Sequence, residues 1–491
     1  MTAALGPRVR LVAPAVASFV VAGAAALYLA GHLAPRYDEL HTLAYLRDPD
    51  LGSLWRSYRS VGDTLPPAAY ATWWAWSRVA GESLDAARAP SVLAWAVAAA
   101  AVTGLTRRAG AWASFAAGVL ASTTALVYLG AFARPYALAL AALAVALWCW
   151  QRAGAAPGSD RPVRWLVASG ILFAAASALH YATAAVAVVV ALVAVAGRGS
   201  GRRWQGRALA PAVGGVVPVL LSAALIPQAI DDQGRLVRVA GPADVAGFWP
   251  SAVRPAVLAL AVVGAVVAVA WCWPGEDRNV VQRRLLDRDV LRSGWALAIA
   301  VPVVAVAAMA LTSGTYVHRY SSGALLGGAI VLAEAVGRSA RRWPWAGAVA
   351  AVALLLGTGL AIRSTTDQMI SRDRAEQLAD DLGATAGSGE VVVLDEYEYL
   401  LLRRSAPEAV ARRLRLGEEP VVAHSPAPVD VAARLADPEG QPFEVLGTAA
   451  AVDELVAASD GWEAEVVGEA TYPRPENPQV LVLARLEPVR G

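Results

Sequence analysis

The sequence contains no lysine, so all 42 of its basic residues are arginine. Together with the abundance of alanine, valine and glycine, this absence indicates a GC-rich coding sequence rather than a function. The net charge is only +2, which gives no argument for nucleic-acid binding. The two cysteines, Cys149 and Cys272, lie within or at the end of apolar runs. A disulfide framework therefore has no support.

Apolar residues are abundant: they make up 57% of the chain, and the mean hydropathy is +0.47. Soluble proteins average about 45–50%. Apolar runs of bilayer-spanning length recur, which predicts a polytopic α-helical membrane protein. The first run is too long for a signal-peptide core and lacks a convincing cleavage site, so it is interpreted as an uncleaved span. About 11 transmembrane helices are predicted, at 11–33, 88–106, 111–129, 135–152, 164–179, 181–196, 208–226, 253–273, 294–312, 320–337 and 343–361.

Arginine clusters between these runs predict the orientation of the chain, because arginine-rich loops remain in the cytoplasm. The clusters are Arg8 and Arg10, Arg107 and Arg108, and those within 152–164, 198–207, 278–292 and 338–342. This scheme requires that residues 66–80 do not cross the membrane. That segment is short, starts with two prolines and carries three tryptophans, so it is interpreted as a helix on the outer surface. A short span there would instead invert every later loop.

The last part of the chain, residues 364–491, changes character. It holds four apolar segments of strand length, and polar, helix-prone stretches lie between them. We expect a small extracytoplasmic α/β domain after a membrane domain of residues 1–363. No glycine-rich phosphate loop, metal-ligand spacing or nucleophile motif occurs in it, so packing or recognition is the expected role. The predicted strands lie within 391–400, 419–424, 443–447 and 479–488.

Within the first outer loop, residues 34–87, the stretch Pro35–Tyr70 holds most of the acidic residues of the first hundred positions. Asp38 and Glu39 follow the first span directly, and Asp63 stands three residues before two prolines. A carboxylate that is partly removed from water can act as a general base. The loop is therefore interpreted as the active-site loop of a membrane enzyme. The alternatives are solvated loop acids and helix N-terminal caps, and a cap suits Asp63 ahead of its prolines.

Five short motifs then give the chain a family resemblance: YDELHT (37–42), GDTLPPAAY (62–70), ARAPSVLAW (87–95), FARPYALAL (132–140) and HRYSSGALL (318–326). In this order they resemble the GT-C glycosyltransferases, multi-span enzymes that use polyprenyl-phosphate sugars. Within that class the chain is similar to the family 39-like group of protein O-mannosyltransferases and lipid A aminoarabinose transferases. The second motif departs from the family pattern. Leu65 replaces the usual His, whose role is therefore absent, and Ala68-Ala69 replaces one Leu.

The resemblance implies an enzyme of the bacterial cytoplasmic membrane with its active site outside. It would transfer mannose or a related sugar or pentose, with inversion, from a polyprenyl phosphate to an extracytoplasmic glycan, lipid or protein. Asp38 would be the catalytic base, and Glu39 would orient a neighbour or help bind the acceptor. Asp63 would contact sugar or acceptor. No cofactor is implied, and no cluster demands a metal. A divalent ion shared by the acidic pair has no support in the sequence.

Arginines at the predicted outer span ends, Arg88, Arg134 and Arg319, are candidates for the donor phosphate, because arginine binds phosphate bidentately. The alternative is simple snorkelling at the interface. Tyr136 and Tyr320 follow two of these arginines and would bind substrate or anchor the interface. His318 is a candidate for the acceptor site. His180, between two apolar runs, is interpreted as a packed, hydrogen-bonded residue more readily than as a ligand.

The outer segment 227–251 is long and polar, as expected for a mobile lid. The competing function is a transporter or flippase of lipid-linked sugars. A transporter would show internal repeats, broken helices or charges near the middle of spans. The sequence shows no repeat, and its ionisable residues gather at the outer ends, which favours the enzyme.

Overall fold

The computed structural model describes residues 7–61, 65–155, 161–197, 202–225, 241–272, 284–311, 317–386, 390–394, 396–406, 408–416, 429, 431–436, 442–459, 462–472 and 479–489. Its α-helices are α1 (Pro7–His32), α2 (Tyr37–Tyr45), α3 (Leu51–Val61), α4 (Pro67–Ala80), α5 (Leu84–Thr106), α6 (Ala111–Val119), α7 (Tyr136–Ala155), α8 (Arg161–Leu179), α9 (Thr183–Ala196), α10 (Arg202–Leu221), α11 (Pro242–Val253), α12 (Val257–Cys272), α13 (Arg288–Leu311), α14 (Ala324–Arg342), α15 (Pro344–Gln368), α16 (Arg372–Thr385), α17 (Glu396–Ser405), α18 (Glu408–Ala411), α19 (Val431–Leu435) and α20 (Ala449–Ala457). The strands are β1 (Val391–Val393), β2 (Leu414–Leu416), β3 (Phe443–Thr448), β4 (Trp462–Tyr472) and β5 (Gln479–Pro488).

The chain forms two compact units. The first comprises Met1–Ala30 and Gly62–Thr365, and the second comprises Gly31–Val61 and Thr366–Gly491. The membrane helices lie in the first unit and the sheet lies in the second. The division after Thr365 lies close to the expected end of the membrane domain, but residues 31–61 pack with the C-terminal residues.

Within the described residues, six helical segments are long and apolar enough to cross a membrane: Val12–His32, Leu84–Ala109, Tyr136–Gly154, Pro242–Cys272, Arg288–Ala308 and Pro344–Gln368. Four shorter apolar helices accompany them: Ala111–Thr123, Val163–Leu179, Thr183–Ala196 and Gly206–Leu221. The chain is therefore a multi-pass helical membrane protein with a C-terminal sheet domain. The predicted fold class is confirmed, and the count of eleven spans stays a prediction.

Glycines let neighbouring helices of the first unit pack at backbone distance. A methyl group on Gly327 of α14 would lie 2.4 Å from the backbone nitrogen of Ala298 and 2.5 Å from the carbonyl oxygen of Gly294, both on α13. A methyl group on Gly214 of α10 would lie 2.3 Å from the carbonyl oxygen of Gly170 on α8. Lipid tails are as apolar as the side chains of a spanning helix, so burying apolar surface between two helices gives little net driving force. Helices in lipid therefore associate through close packing contacts of this kind.

Helix α4 is the segment interpreted as an outer-surface helix. Its 14 residues give a length of about 21 Å, which is shorter than the ~30 Å hydrocarbon core of a bilayer. The indole nitrogens of Trp73 and Trp76 donate to the carbonyl oxygens of Ala87 and Ala86 in the first turns of α5, each at 2.8 Å. Trp73 is buried. These tryptophans therefore fix α4 against α5, in addition to any contact with lipid.

The expected lid loop is partly helical. Residues 226–240 lie outside the described residues, but α11 begins at Pro242 and the expectation of a loop up to residue 251 is wrong. Proline suits the first helical turn, and the Asp244 carboxylate accepts a hydrogen bond from the Gly241 backbone nitrogen at 2.8 Å. The buried side chain of Phe248 and the bond from the Trp249 indole to the Ala298 carbonyl, 2.9 Å, hold the helix on α13.

The sheet of the second unit has the strand order β2-β1-β3-β5-β4. Strand β1 pairs in parallel with β2 and β3, whereas β5 is antiparallel to β3 and β4. The predicted strands at 443–447 and 479–488 match β3 and β5. The prediction for 391–400 is right only for Val391–Val393, because helix α17 starts at Glu396. The predicted strand at 419–424 lies outside the described residues.

Residues 31–61 pack against the C-terminal part of the second unit. The backbone nitrogen of Ala34 donates to the carbonyl oxygen of Ile370 at 2.9 Å, and Leu33 forms an antiparallel bridge with Ser371. The buried Ala34 side chain shares a hydrophobic cluster with Ile370 and Leu401. Helices α2 and α17 line a small cleft together. Much of the expected outer loop is therefore ordered as helices within this unit.

Candidate active site

The acidic pair lies in the first turn of α2. Arg36 has extended backbone angles and the helix begins at Tyr37, which places Asp38 and Glu39 in its first turn, where the Glu39 backbone nitrogen donates to the Arg36 carbonyl oxygen at 2.9 Å. The helix dipole stabilises negative charge there. The Glu39 side chain is fully buried, whereas Asp38 is half-buried. The two carboxylates of the pair therefore differ in their exposure to solvent.

Other polar groups of this unit lie close to the pair in sequence. The buried His41 ring meets the Tyr37 ring edge to face, with centroids 4.9 Å apart. Buried Asp48 accepts a hydrogen bond from the Ser57 hydroxyl at 3.0 Å, which ties the end of α2 to α3. No group of three or more His, Cys, Asp or Glu residues in the described ranges is arranged to hold a metal ion.

In the first unit, Arg134 joins three of the motifs that carry the family resemblance. It precedes α7 in a turn and is buried. Its Nη1 donates to the Tyr70 hydroxyl of α4 at 3.2 Å, and its carbonyl oxygen accepts a bond from the Ser91 hydroxyl of α5 at 3.3 Å. Three motifs that are distant in sequence thus meet at one residue, through its guanidinium group and its backbone carbonyl.

Arg319 lies in a short 3-10 helix, His318–Ser321, ahead of α14. Its guanidinium carbon is 5.5 Å from the ring centroid of Tyr136 and 5.8 Å from that of Tyr320. The His180 ring stands 4.8 Å from Tyr136 and 5.7 Å from Tyr320 between centroids. Arg319 and the three rings line a cavity of about 10 Å³, which is about the space for one water molecule.

His180 is the residue of this cluster that sequence reasoning did not rank as a ligand. It is buried, and its Nδ1 accepts a hydrogen bond from the Ala182 backbone nitrogen at 3.2 Å. A neutral imidazole with Nδ1 as acceptor carries its proton on Nε2. That nitrogen has no hydrogen-bond partner among the described residues. Burial, followed by the charges of Arg319 and Arg134, lowers the pKa of His180 to about 3.

His180→Gln is expected to reduce the acid sensitivity of the fold. The pKa of His180 falls from an ordinary 6.5 to about 3 on folding. Between these values the unfolded chain binds a proton that the folded chain excludes, so stability is full above pH 6.5 and declines toward pH 3. The decline is at most about 1.4 kcal/mol per pH unit. Thermal unfolding in detergent between pH 7 and 4.5 measures it. His32→Gln, at an exposed position, is the control, and equal acid sensitivity in both variants would contradict the assignment.

The remaining predicted residues have different surroundings. Arg88 is buried, donates to the Ala30 carbonyl oxygen at 2.7 Å and lies 5.1 Å from the Phe132 ring centroid. Arg88 therefore joins α5 to the end of α1 beside Phe132. The His318 ring meets Phe248 edge to face at 6.2 Å. Asp63 lies outside the described residues. Asp38 and Glu39 belong to the second unit, whereas Arg134 and Arg319 belong to the first.

Comparison with known proteins places these features in context. Residues 64–226, about a third of the chain, match the family model described as dolichyl-phosphate-mannose-protein mannosyltransferase. The crystal structure of ArnT from Cupriavidus metallidurans bound to undecaprenyl phosphate is 14% identical, with a TM-score of 0.61, over 97% of this chain and 98% of that chain. The apo structure of the same protein is 15% identical, with a TM-score of 0.60, over 96% and 97%. No curated protein sequence matches. At this identity the structures share a fold with the chain.

Proposed function

The chain has the fold of the GT-C membrane glycosyltransferases and resembles the mannosyltransferase and aminoarabinose transferase group, and from this premise we propose that it transfers a sugar from a polyprenyl phosphate. The donor would carry mannose or a related hexose or pentose. The acceptor would be an extracytoplasmic glycan, lipid or protein of the cell envelope. The competing reading as a transporter or flippase is not favoured, because both the family match and the fold are those of glycosyltransferases.

The observation that carries the proposal is the cationic cluster of the first unit. Two arginines, Arg134 and Arg319, act electrostatically on the same buried His180. His180 is neutral and offers an N–H to the same region. A site of this kind favours an anion of more than one oxygen, since guanidinium groups bind phosphate through two parallel hydrogen bonds. The ArnT structure that shares this fold was obtained with undecaprenyl phosphate.

The proposed reaction displaces the lipid phosphate with inversion. The acceptor oxygen bonds to the anomeric carbon as the bond from that carbon to the phosphate oxygen breaks. The acceptor proton passes to the Asp38 carboxylate, and the electron pair of the broken bond leaves on the polyprenyl phosphate. Arg134, Arg319 and the His180 N–H stabilise the charge that develops on that phosphate. Glu39 orients the reacting groups, and Tyr136, Tyr320, Asp63 and His318 contribute to substrate binding.

A panel of radiolabelled polyprenyl-phosphate sugars tests the function. Membranes that contain the wild-type chain are incubated with each donor, and label is followed from the lipid to the envelope fractions. Membranes without the chain and membranes with Asp38→Asn are the controls. We expect transfer from at least one donor that depends on the wild-type protein. Movement of intact labelled lipid across the membrane, with no new glycosidic product, would support a flippase instead.

The proposed orientation puts the N-terminus inside and the second unit outside a bacterial cytoplasmic membrane. Single cysteines at Ala457 and Arg288, both exposed, test it in a Cys272→Ser background, since Cys272 is also exposed and Cys149 is buried. An impermeant thiol reagent on intact spheroplasts should label Ala457→Cys, and Arg288→Cys only after lysis. Labelling of Arg288→Cys alone in intact spheroplasts would invert the topology.

A further inference from the structure

An apolar groove lies in the first unit, away from Arg134, Arg319 and His180. It has a volume of about 700 Å³ and is lined by residues of α1, α5, α6 and α7. Phe19, Val97, Ala100 and Val145 contribute apolar surface. Its volume is within the range of pockets that hold small organic ligands. In a membrane protein, a groove between spanning helices with such a lining accepts a hydrocarbon chain.

One end of this groove is cationic. Arg107 follows the last residue of α5, and Arg152 lies in the last turn of α7; both line the groove. The Arg152 guanidinium carbon lies 5.0 Å from the ring centroid of Trp148, which also lines the groove. The neighbouring Arg108 is ion-paired with Asp287. No ion pair or side-chain hydrogen bond engages Arg107 or Arg152 in the part of the chain that the structure describes.

This cationic end is far from the proposed donor site. Tyr136 begins α7, and Arg152 lies 16 residues further along the same helix. At 1.5 Å per residue the two positions are about 24 Å apart, which is close to the thickness of the hydrocarbon core. The two arginine clusters therefore lie at opposite ends of α7, which is long and apolar enough to cross a membrane. The Arg107 side is the one that the arginine-rich loops assign to the cytoplasm.

We propose that this groove binds a diacyl phospholipid with an anionic headgroup, drawn from the cytoplasmic leaflet. An acyl chain lies along the apolar lining, and the headgroup phosphate bonds to Arg107 and Arg152. Basic pockets between spanning helices on the cytoplasmic side suit such headgroups. Tryptophan side chains such as Trp148 are common at the level of the lipid headgroups, because the indole ring is amphipathic. This site is independent of the proposed transfer reaction.

Lipid competition on the purified full-length chain tests the proposal. The protein in detergent is given equal amounts of dioleoyl phosphatidylglycerol and dioleoyl phosphatidylcholine, and retained lipid is identified by native mass spectrometry. We expect wild type to retain phosphatidylglycerol at least ten-fold over phosphatidylcholine. Arg107→Gln and Arg152→Gln should each reduce this preference about ten-fold, as expected for loss of a charge-assisted bond. Arg164→Gln, an exposed arginine that does not line the groove, should leave it unchanged.

Two further comparisons locate the lipid. Ala100→Trp fills the groove and should abolish retention, whereas Leu93→Trp, on an exposed part of α5 outside the groove, should not. A single symmetric peak in gel filtration verifies that each variant is folded. If an arginine variant does not fold, the comparison of Ala100→Trp with Leu93→Trp decides the outcome. Equal retention of both lipids by wild type would overturn the proposal. So would unchanged retention by Ala100→Trp, or displacement of phosphatidylglycerol by an equal amount of undecaprenyl phosphate.

Discussion

Asp38→Asn is expected to reduce sugar transfer roughly 100-fold or more, the usual effect of removing a general base. The amide keeps the size of the side chain but cannot take the acceptor proton. Folding should persist, because Asp38 is only half-buried and asparagine is well tolerated near a helix start. The measurement is the initial rate of transfer in membranes that contain equal amounts of each protein, with saturating donor and acceptor.

Asp50→Asn is the matched control for this experiment. Asp50 is an exposed carboxylate of the same unit that accepts a hydrogen bond from the Ser53 backbone nitrogen at 2.7 Å, and that bond lowers the pKa of Asp50. An asparagine preserves such a cap, so activity should remain. Glu39→Gln should be defective as well, through altered orientation. Full activity in well-expressed Asp38→Asn would eliminate the carboxylate mechanism.

Arg319→Ala and Arg134→Ala should each reduce kcat/KM for the donor about 10- to 150-fold, equivalent to about 1.5–3 kcal/mol for a lost charged hydrogen bond. Lysine at either position keeps the charge but loses the fork that fits a phosphate. We expect the lysine variants to be intermediate, chiefly through KM. Arg134 has a second task, its bond to the Tyr70 hydroxyl. Tyr70→Phe should therefore reproduce part of the Arg134 defect.

Arg78→Ala is the control for these arginines, since Arg78 is exposed, where it pairs with Glu82 at 3.8 Å and lies over the Trp74 ring. Its loss should change neither kcat nor KM. Lysine replacing Arg134 or Arg319 without any effect would show that the residue snorkels at the interface. Wild-type kinetics in both alanine variants would remove the two residues from the site and leave phosphate recognition to Arg88 or to residues 227–251.

The sequence predicts the parts of the site that local pattern determines. An acidic pair after the first span, and arginines beside aromatic residues at span ends, are visible as motifs, and Arg134, Tyr136, Arg319 and Tyr320 do come together around His180. His180 itself carries no such pattern. Its burial beside Tyr136 and Tyr320, and the lack of a hydrogen-bond partner for its Nε2 among the described residues, result from tertiary packing. A single histidine between apolar runs gives no sign of that packing.

The predicted helix and strand boundaries are wrong where the local composition is ambiguous. Residues 391–400 look like one strand in the sequence, but only Val391–Val393 pair with β2 and β3. Residues 241–251 look like a polar loop, yet buried Phe248 and the bond of Trp249 to α13 make them helical. In each case the deciding contact is distant in sequence, so no window of local residues contains it.

The packing of residues 31–61 with the C-terminal part of the chain has a consequence for biosynthesis. The acidic pair leaves the ribosome early, but its packing partners start at Thr366, after about 300 more residues. At translation rates of about 5–20 residues per second, that interval is roughly 15–60 s. During this time the segment with Asp38 and Glu39 lacks the C-terminal residues that complete its unit. A nascent chain interrupted before Thr366 would hold every predicted site residue and still lack the residues against which the segment with Asp38 and Glu39 packs.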